Sequence, residues 1–296
     1  MVGLAVLGLL PLLTGPAQAE ALAWAWDPGT PVRYVTQTAI GTPLGWGWTG
    51  LGSQSARTAT LGYTTTSSCV GHAKGKDWVV VCTIESSEWA AKTHADERNP
   101  GATAALLAAW PAMVQGAQVE ITLRPDGRFK RFDVSGTHIA DSRAAYLRRA
   151  LVTLLRAAFA PLDVQLPPED QPAGKPWRHK GSPSALSVVG IDAPQAVARW
   201  SYIAAGGGGE PVVFHGSGRG TTAAQPSGSM VDLHIALQGG GRFAFSEADH
   251  RLVYGEVWTA GEVSGAPAGG DGPFYDYGAS IALLAADGTP TPPPPR

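Results

Sequence analysis

The chain is short of most features that announce chemistry. It has two cysteines, Cys69 and Cys82, and no C-x-x-C pair, which argues against a redox-active dithiol. Neither charge sign prevails: 22 Lys and Arg face 24 Asp and Glu, a net charge of -2. A general nucleic-acid binder would carry a basic face, so that class is set aside. Past the first nineteen residues no segment approaches the length of a membrane span. The seven histidines form no H-x-H or H-E-x-x-H pattern, so no zinc motif is present and no metal or cofactor is called for. His215-Gly216-Ser217-Gly218-Arg219-Gly220 has neither the G-x-S-x-G frame of a hydrolase nor the Gly-Lys-Ser/Thr ending of a P-loop; it reads as a glycine-rich turn. Asp232 and His234 would share one strand face, where two solvated polar residues are the simpler account. Glu85, Glu88, Glu120 and Glu256 fall in or beside strands, and nothing singles out a catalytic pair. No catalytic residue is assigned.

The N-terminus lacks a Lys or Arg ahead of its apolar run, yet otherwise reads as a signal peptide over residues 1–19. Leu4 to Leu13 is apolar, broken by Pro11, and Ala17-Gln18-Ala19 supplies small residues where a signal peptidase reads. Cleavage would leave Glu20 first. No cysteine lies there to carry a lipid anchor. Export to the periplasm or the outside, with no transmembrane anchor after cleavage, is the expectation.

What is abundant is glycine, proline and tryptophan, at 38, 24 and 10 residues. Many short strands joined by turns need that glycine and proline. Large aromatic bodies suit β-rich cores as well as apolar sites. A hairpin turning at Gly75-Lys76 would pair 74 with 77, 73 with 78 and finally Cys69 with Cys82, placing a disulfide straight across the ladder. Closing that loop would stabilise by about 2–3 kcal/mol on the chain-entropy model. Trp78 to Val81 is continuously apolar, as in a strand covered on both faces.

Along the rest of the chain, Trp24, Trp26 and Asp27-Pro28-Gly29 form an opening segment that ends in a turn. Val32 to Ile40 reads as a strand, and Trp46 and Trp48 sit in a glycine-rich loop. Ala102 to Trp110 reads as a short helix stopped by Pro111. Val119 to Leu123 alternates strictly, turns at Pro125-Asp126-Gly127 and returns over Phe129 to Val134. Asp141 is a good N-cap for the main helix, 142–159, where Leu147, Leu151, Leu154, Leu155 and Ala158 share one stripe. More than half of its circumference is apolar, which suits the groove of a curved sheet. Residues 166–183 read as a proline-rich connector. Strands resume at 185–191, 196–204, 211–216, 230–237, 241–245 and 252–259, and 287–296 reads as a disordered proline-rich tail. Gly-Arg-Phe at 241–243 echoes the hairpin around Gly127-Arg128-Phe129, which raises a division into two similar halves, 20–165 and 184–286.

The order of features from Asp141 to Phe159, through Leu166-Pro167-Pro168 and Gly174-Lys175-Pro176-Trp177, to Gly241-Arg242-Phe243-Ala244-Phe245 resembles bacterial exported proteins and lipoproteins with a sheet of the lipoprotein-carrier type. The resemblance spans roughly 115–260 in outline and rests on generic motifs; the lipid-attachment cysteine common in that group is missing here. It implies a half-open barrel able to hold an acyl chain. The expected fold is therefore α+β and predominantly antiparallel, a curved half-open sheet with one main helix. The leading function is an exported non-catalytic carrier or chaperone for a lipid or other apolar ligand, with Trp46, Trp48, Leu147, Leu151 and Leu155 as ligand-binding candidates. A structural or interaction module contacting envelope proteins is the alternative, and a secreted hydrolase the second.

Overall fold

A computed structural model describes residues 22–43, 58–89, 108–139, 144–168, 174–181, 197–204, 211–224, 233–264 and 272–294. The leader, Trp46 and Trp48, Asp141 and Asp232, and the strand expected at 185–191 lie outside them. The described strands are β1 (Val32–Pro43), β2 (Thr58–Lys74), β3 (Asp77–Trp89), β4 (Gln118–Leu123), β5 (Phe129–Ser135), β6 (Trp177–Gly181), β7 (Val197–Ala204), β8 (Val212–Ala224), β9 (Leu233–Ser246), β10 (Arg251–Ser264) and β11 (Gly272–Leu283). All pair antiparallel in one open sheet, in the order β5-β4-β3-β2-β1-β11-β10-β9-β8-β7-β6. The chain thus meanders outward to one edge, crosses through a helix, and meanders back from the other edge until β11 closes against β1. In each half successive strands are sheet neighbours, and the two halves make one sheet rather than two.

The β2–β3 hairpin has the register expected from its turn: Lys74 pairs with Asp77, Ala73 with Trp78, and Cys69 with Cys82, which form a disulfide. Val79 and Val80 are both buried, so this strand is covered on both faces. The β4–β5 hairpin also forms as its alternation requires. Helix α1, described over 108–114, runs through Pro111, whose carbonyl accepts from Gln115 N, rather than ending before it. Helix α2 (Ala144–Phe159) is followed by a 3-10 turn, Ala160–Leu162. The helix packs on β1, β11 and β5, and the turn on β10 and β11.

Several strands run longer than their sequence signals. His215 to Gly220 is not a turn but the middle of β8, and 230–237 and 241–245 are one strand, β9. The glycines sit at alternate positions of β8, with Ser217 and Arg219 between them on the other face; a period of two that a turn would not keep. The Gly-Arg-Phe echo fails for the same reason, since Gly241 lies inside the ladder, paired with Val257 and Gly216. Trp177 opens β6 inside residues 166–183, where the proline pattern predicts only a connector. β11 carried no strand expectation at all. The tail is described to Pro294 and folds back: Leu284 bridges Pro290, Thr291 N donates to Leu283 O, and Arg242 Nη1 donates to Pro294 O at 2.6 Å. Pro294 is buried, and the Arg242 guanidinium that holds it also lies over the ring of Tyr254, a member of a small outer-face cluster with Ala244, Val253 and Ala282.

The sheet curls strongly. Ten inter-strand steps of about 4.8 Å would hold the edges of a flat sheet roughly 48 Å apart. Yet Phe129 N, on β5, donates to Asp163 Oδ1 at 2.8 Å, and Trp177 Nε1, on β6, donates to Gln165 O at 3.2 Å. Three residues of chain reach about 10 Å, so at this end the two edges come close and the segment 163–166 straps them together. Leu166 N adds a bond to Asp126 O. The fit at the hairpin tip demands glycine: Gly127 has φ +86°, and a Cβ there would stand 2.2 Å from Val164 O.

Candidate functional site

The concave face is the natural place for a ligand. Strand alternation sends Val32, Tyr34, Thr36 and Thr38 of β1 inward, with Tyr63, Thr65, Ser67 and Cys69 of β2 beside them. Ala279 and Ile281 of β11 and Thr259 of β10 continue the same face. None of these residues carries charge. Several of their hydroxyls are spent within the protein: Tyr34 Oη donates to Leu252 O at 3.0 Å, Tyr63 Oη to Leu154 O at 2.5 Å, and Thr65 Oγ1 meets Ser87 Oγ at 2.8 Å, where Trp110 Nε1 also donates, whereas Thr38 Oγ1 is buried without a partner. Burial pushes the Tyr34 and Tyr63 phenols well above their ordinary value, because a phenolate there would have no water.

Toward the strap the hollow is filled. Leu151, Leu154, Leu155 and Phe159 of α2 are buried, as are Trp24 and Trp26, which stack at 6.3 Å. Across the other half an aromatic group closes over the sheet: Trp177 stacks on Tyr202, Phe214 stacks on Phe243, and Tyr202 tilts against Phe243. These rings need bare backbone beneath them. A Cβ on Gly216 would stand 2.6 Å from Tyr202, and one on Gly241 would stand 2.7 Å from Phe243. Beyond the rings the inner positions of β8 and β9 stay glycine: Gly218 pairs with Gly239, and Gly220 follows on the same face. At these positions the sheet presents bare backbone, and Gly239 is itself buried. Trp200 and Leu237 occupy the neighbouring register positions.

Of the residues singled out in the sequence, Leu151 and Leu155 belong to the packed core. Leu147 lies on the same helix with its side chain outside the described residues, as Trp46 and Trp48 are altogether. The disulfide pair lies on the inner face, fully buried. The glycine floor was missed, although G-S-G-R-G alternates at the strand period. The four strand glutamates are dispersed. Glu85 bonds Arg33, and Glu256 bonds Arg242 and Tyr254. Glu88 and Glu256 share an outer row four strands apart, about 19 Å. Glycosidase pairs sit much closer than that. Among the described residues no three His, Cys, Asp or Glu side chains are grouped to hold a metal, and no helix is long and apolar enough to cross a membrane.

Comparison with known proteins yields a fold and no family. No protein-family model matches the chain, and no curated protein matches it in sequence. Among solved structures, one of lipovitellin, reported for its lipid–protein interactions, matches with a TM-score of 0.51 at 9% identity. The match takes in 92% of this chain but 27% of that one, so this chain spans about a quarter of its length. At that identity the likeness concerns the fold: a large, open, curled antiparallel sheet.

Proposed function

We propose that the protein is an exported, non-catalytic carrier that holds a lipid or another apolar molecule on the concave face of its sheet. The observation that carries this reading is the uncharged inner face, filled at the strap end but floored by Gly218, Gly220 and Gly239 beyond the aromatic group. A floor of bare backbone costs strand stability, since glycine loses the most entropy on ordering and packs nothing. A bound chain lying over it offsets that cost through its own burial. The lipid-associated neighbour has the same kind of sheet, which supports the reading. Trp46, Trp48 and Leu147 are assigned to the ligand on sequence grounds, while Leu151 and Leu155 hold the helix in place.

Native mass spectrometry of protein purified from its own host tests this directly. A carrier retains an apolar molecule that organic extraction removes, and the extracted protein then takes up a fluorescent fatty acid. A bare mass with no uptake by the extracted protein would overturn the proposal. The filled strap end favours a second reading, a structural module of the envelope or secreted matrix, and that result would leave it standing.

A further inference from the structure

Among the described residues only two large hydrophobic side chains are exposed, Ile203 and Trp258, and Trp258 is 44% exposed. Trp258 stands on the convex face, away from the hollow. Its indole lies flat on the backbone of Gly240: a Cβ there would come within 2.7 Å of Nε1 and 2.9 Å of Cε2. The register extends the setting. At the level of Trp258 the outer row reads Ser217, Gly240, Trp258, Gly278, Ala39 and Gly62, crossing from β8 to β2. One ring thus lies in a shallow trough, flanked along the strands by rows that include longer polar side chains. Arg242, Glu256, Ser280 and Gln37 occupy the row on one side, and Arg219, Gln238 and Ala260 the row on the other. From Gly240 to Gly62 the trough crosses four inter-strand steps, about 19 Å.

We infer that this trough binds a neutral glycan chain, laid across the strands with one sugar ring stacked on Trp258. Other occupants fit the surface less well. A stable protein interface buries about 800 Å² per partner around an apolar centre, and one indole with small neighbours does not supply it. An anionic lipid surface attracts clustered Lys and Arg. Here Arg242 is paired with Glu256, and one further arginine, Arg219, does not make a cluster. A pyranose has what the trough asks for: a C–H face for the indole and a rim of hydroxyls for planar amides, carboxylates and guanidinium groups. The trough is long enough for several linked rings. This site is independent of the carrier reading, because it lies on the opposite face of the sheet.

The test is calorimetric titration of the full chain with chitohexaose and with cellohexaose. Binding of at least one, with Kd at or below about 1 mM, is expected. Trp258→Ala should weaken it roughly tenfold or more, and Trp258→Tyr, which keeps a stacking ring, should restore most of it. Gly240→Ala should also weaken it, by lifting the indole, while Ile203→Ala should leave it unchanged. Thermal melts of each variant confirm the fold. The inference is overturned if wild-type protein binds neither hexaose, or if Trp258→Ala binds as wild type. It is equally overturned if Trp258 proves to be needed instead for self-association or for sedimentation with phosphatidylglycerol vesicles.

Discussion

Replacing Leu151 by alanine probes how the helix and the sheet share the hollow. Leu151 is 1% exposed, as is Leu154, and Leu155 is 0% exposed. Its removal forfeits the transfer energy of the lost methyl groups and leaves a cavity, a combination that costs about 2.7–5 kcal/mol in buried Leu→Ala changes. Where a site falls in that range depends on how far it can collapse. Here the helix has little freedom to settle. Tyr63 Oη ties Leu154 O to β2, and the 3-10 turn and strap that follow are bonded to both edges of the sheet. We therefore expect the upper part, about 4–5 kcal/mol, seen as a Tm lowered by roughly 10 °C. Urea unfolding at constant m checks it, with a fluorescent fatty acid titrated into both forms in parallel. A loss below about 1 kcal/mol would refute the reasoning, and if probe uptake also changed, α2 would be a movable lid over the ligand rather than a fixed plug.

Four further outcomes follow from the same structure. Changing Cys69 and Cys82 together to alanine should cost about 3 kcal/mol, the chain entropy of a 13-residue separation, measured by denaturant unfolding. Gly127→Ala, which places a Cβ against Val164 O at positive φ, should destabilise by more than about 1 kcal/mol and expose 163–166 to limited proteolysis; unchanged protease resistance would count against the strap. Tyr34, Tyr63 and Tyr202 have phenols pushed up by burial, so the folded chain keeps protons that the unfolded chain releases above pH 10. Their stabilisation is complete below that pH and falls above it by about 1.4 kcal/mol per pH unit for each group, with phenolate absorbance rising as the protein unfolds. Arg242→Ala removes the donor to Pro294 O and should hasten carboxypeptidase trimming of the C-terminal residues without lowering Tm appreciably.

Local chemistry made part of this protein legible before any coordinates. The β2–β3 and β4–β5 hairpins follow from short-range rules, since Gly75 and Gly127 take the positive φ their turns require and alternation then sets each register, down to the disulfide partners. The apolar stripe of α2 likewise identified Leu151, Leu154 and Leu155 as buried. Other features depend on partners far away in the chain, and no local pattern marks them. β11 is a strand because β1 and β10 pair with it from either side. The glycines of β8 and β9 are strand residues because rings from β7 and β9 lie over some of them, whereas by local propensity they spell turns. The proline-rich tail is held by backbone bonding to Leu283 and by Arg242 of β9. The closing of the sheet by 163–166 joins edges that are distant in strand order, and only the accumulated curl of eleven strands brings them within reach. Turn chemistry and periodicity act over a few residues and can be read from the sequence, whereas pairing partners, curvature and the occupants of each face are decided when the whole sheet assembles.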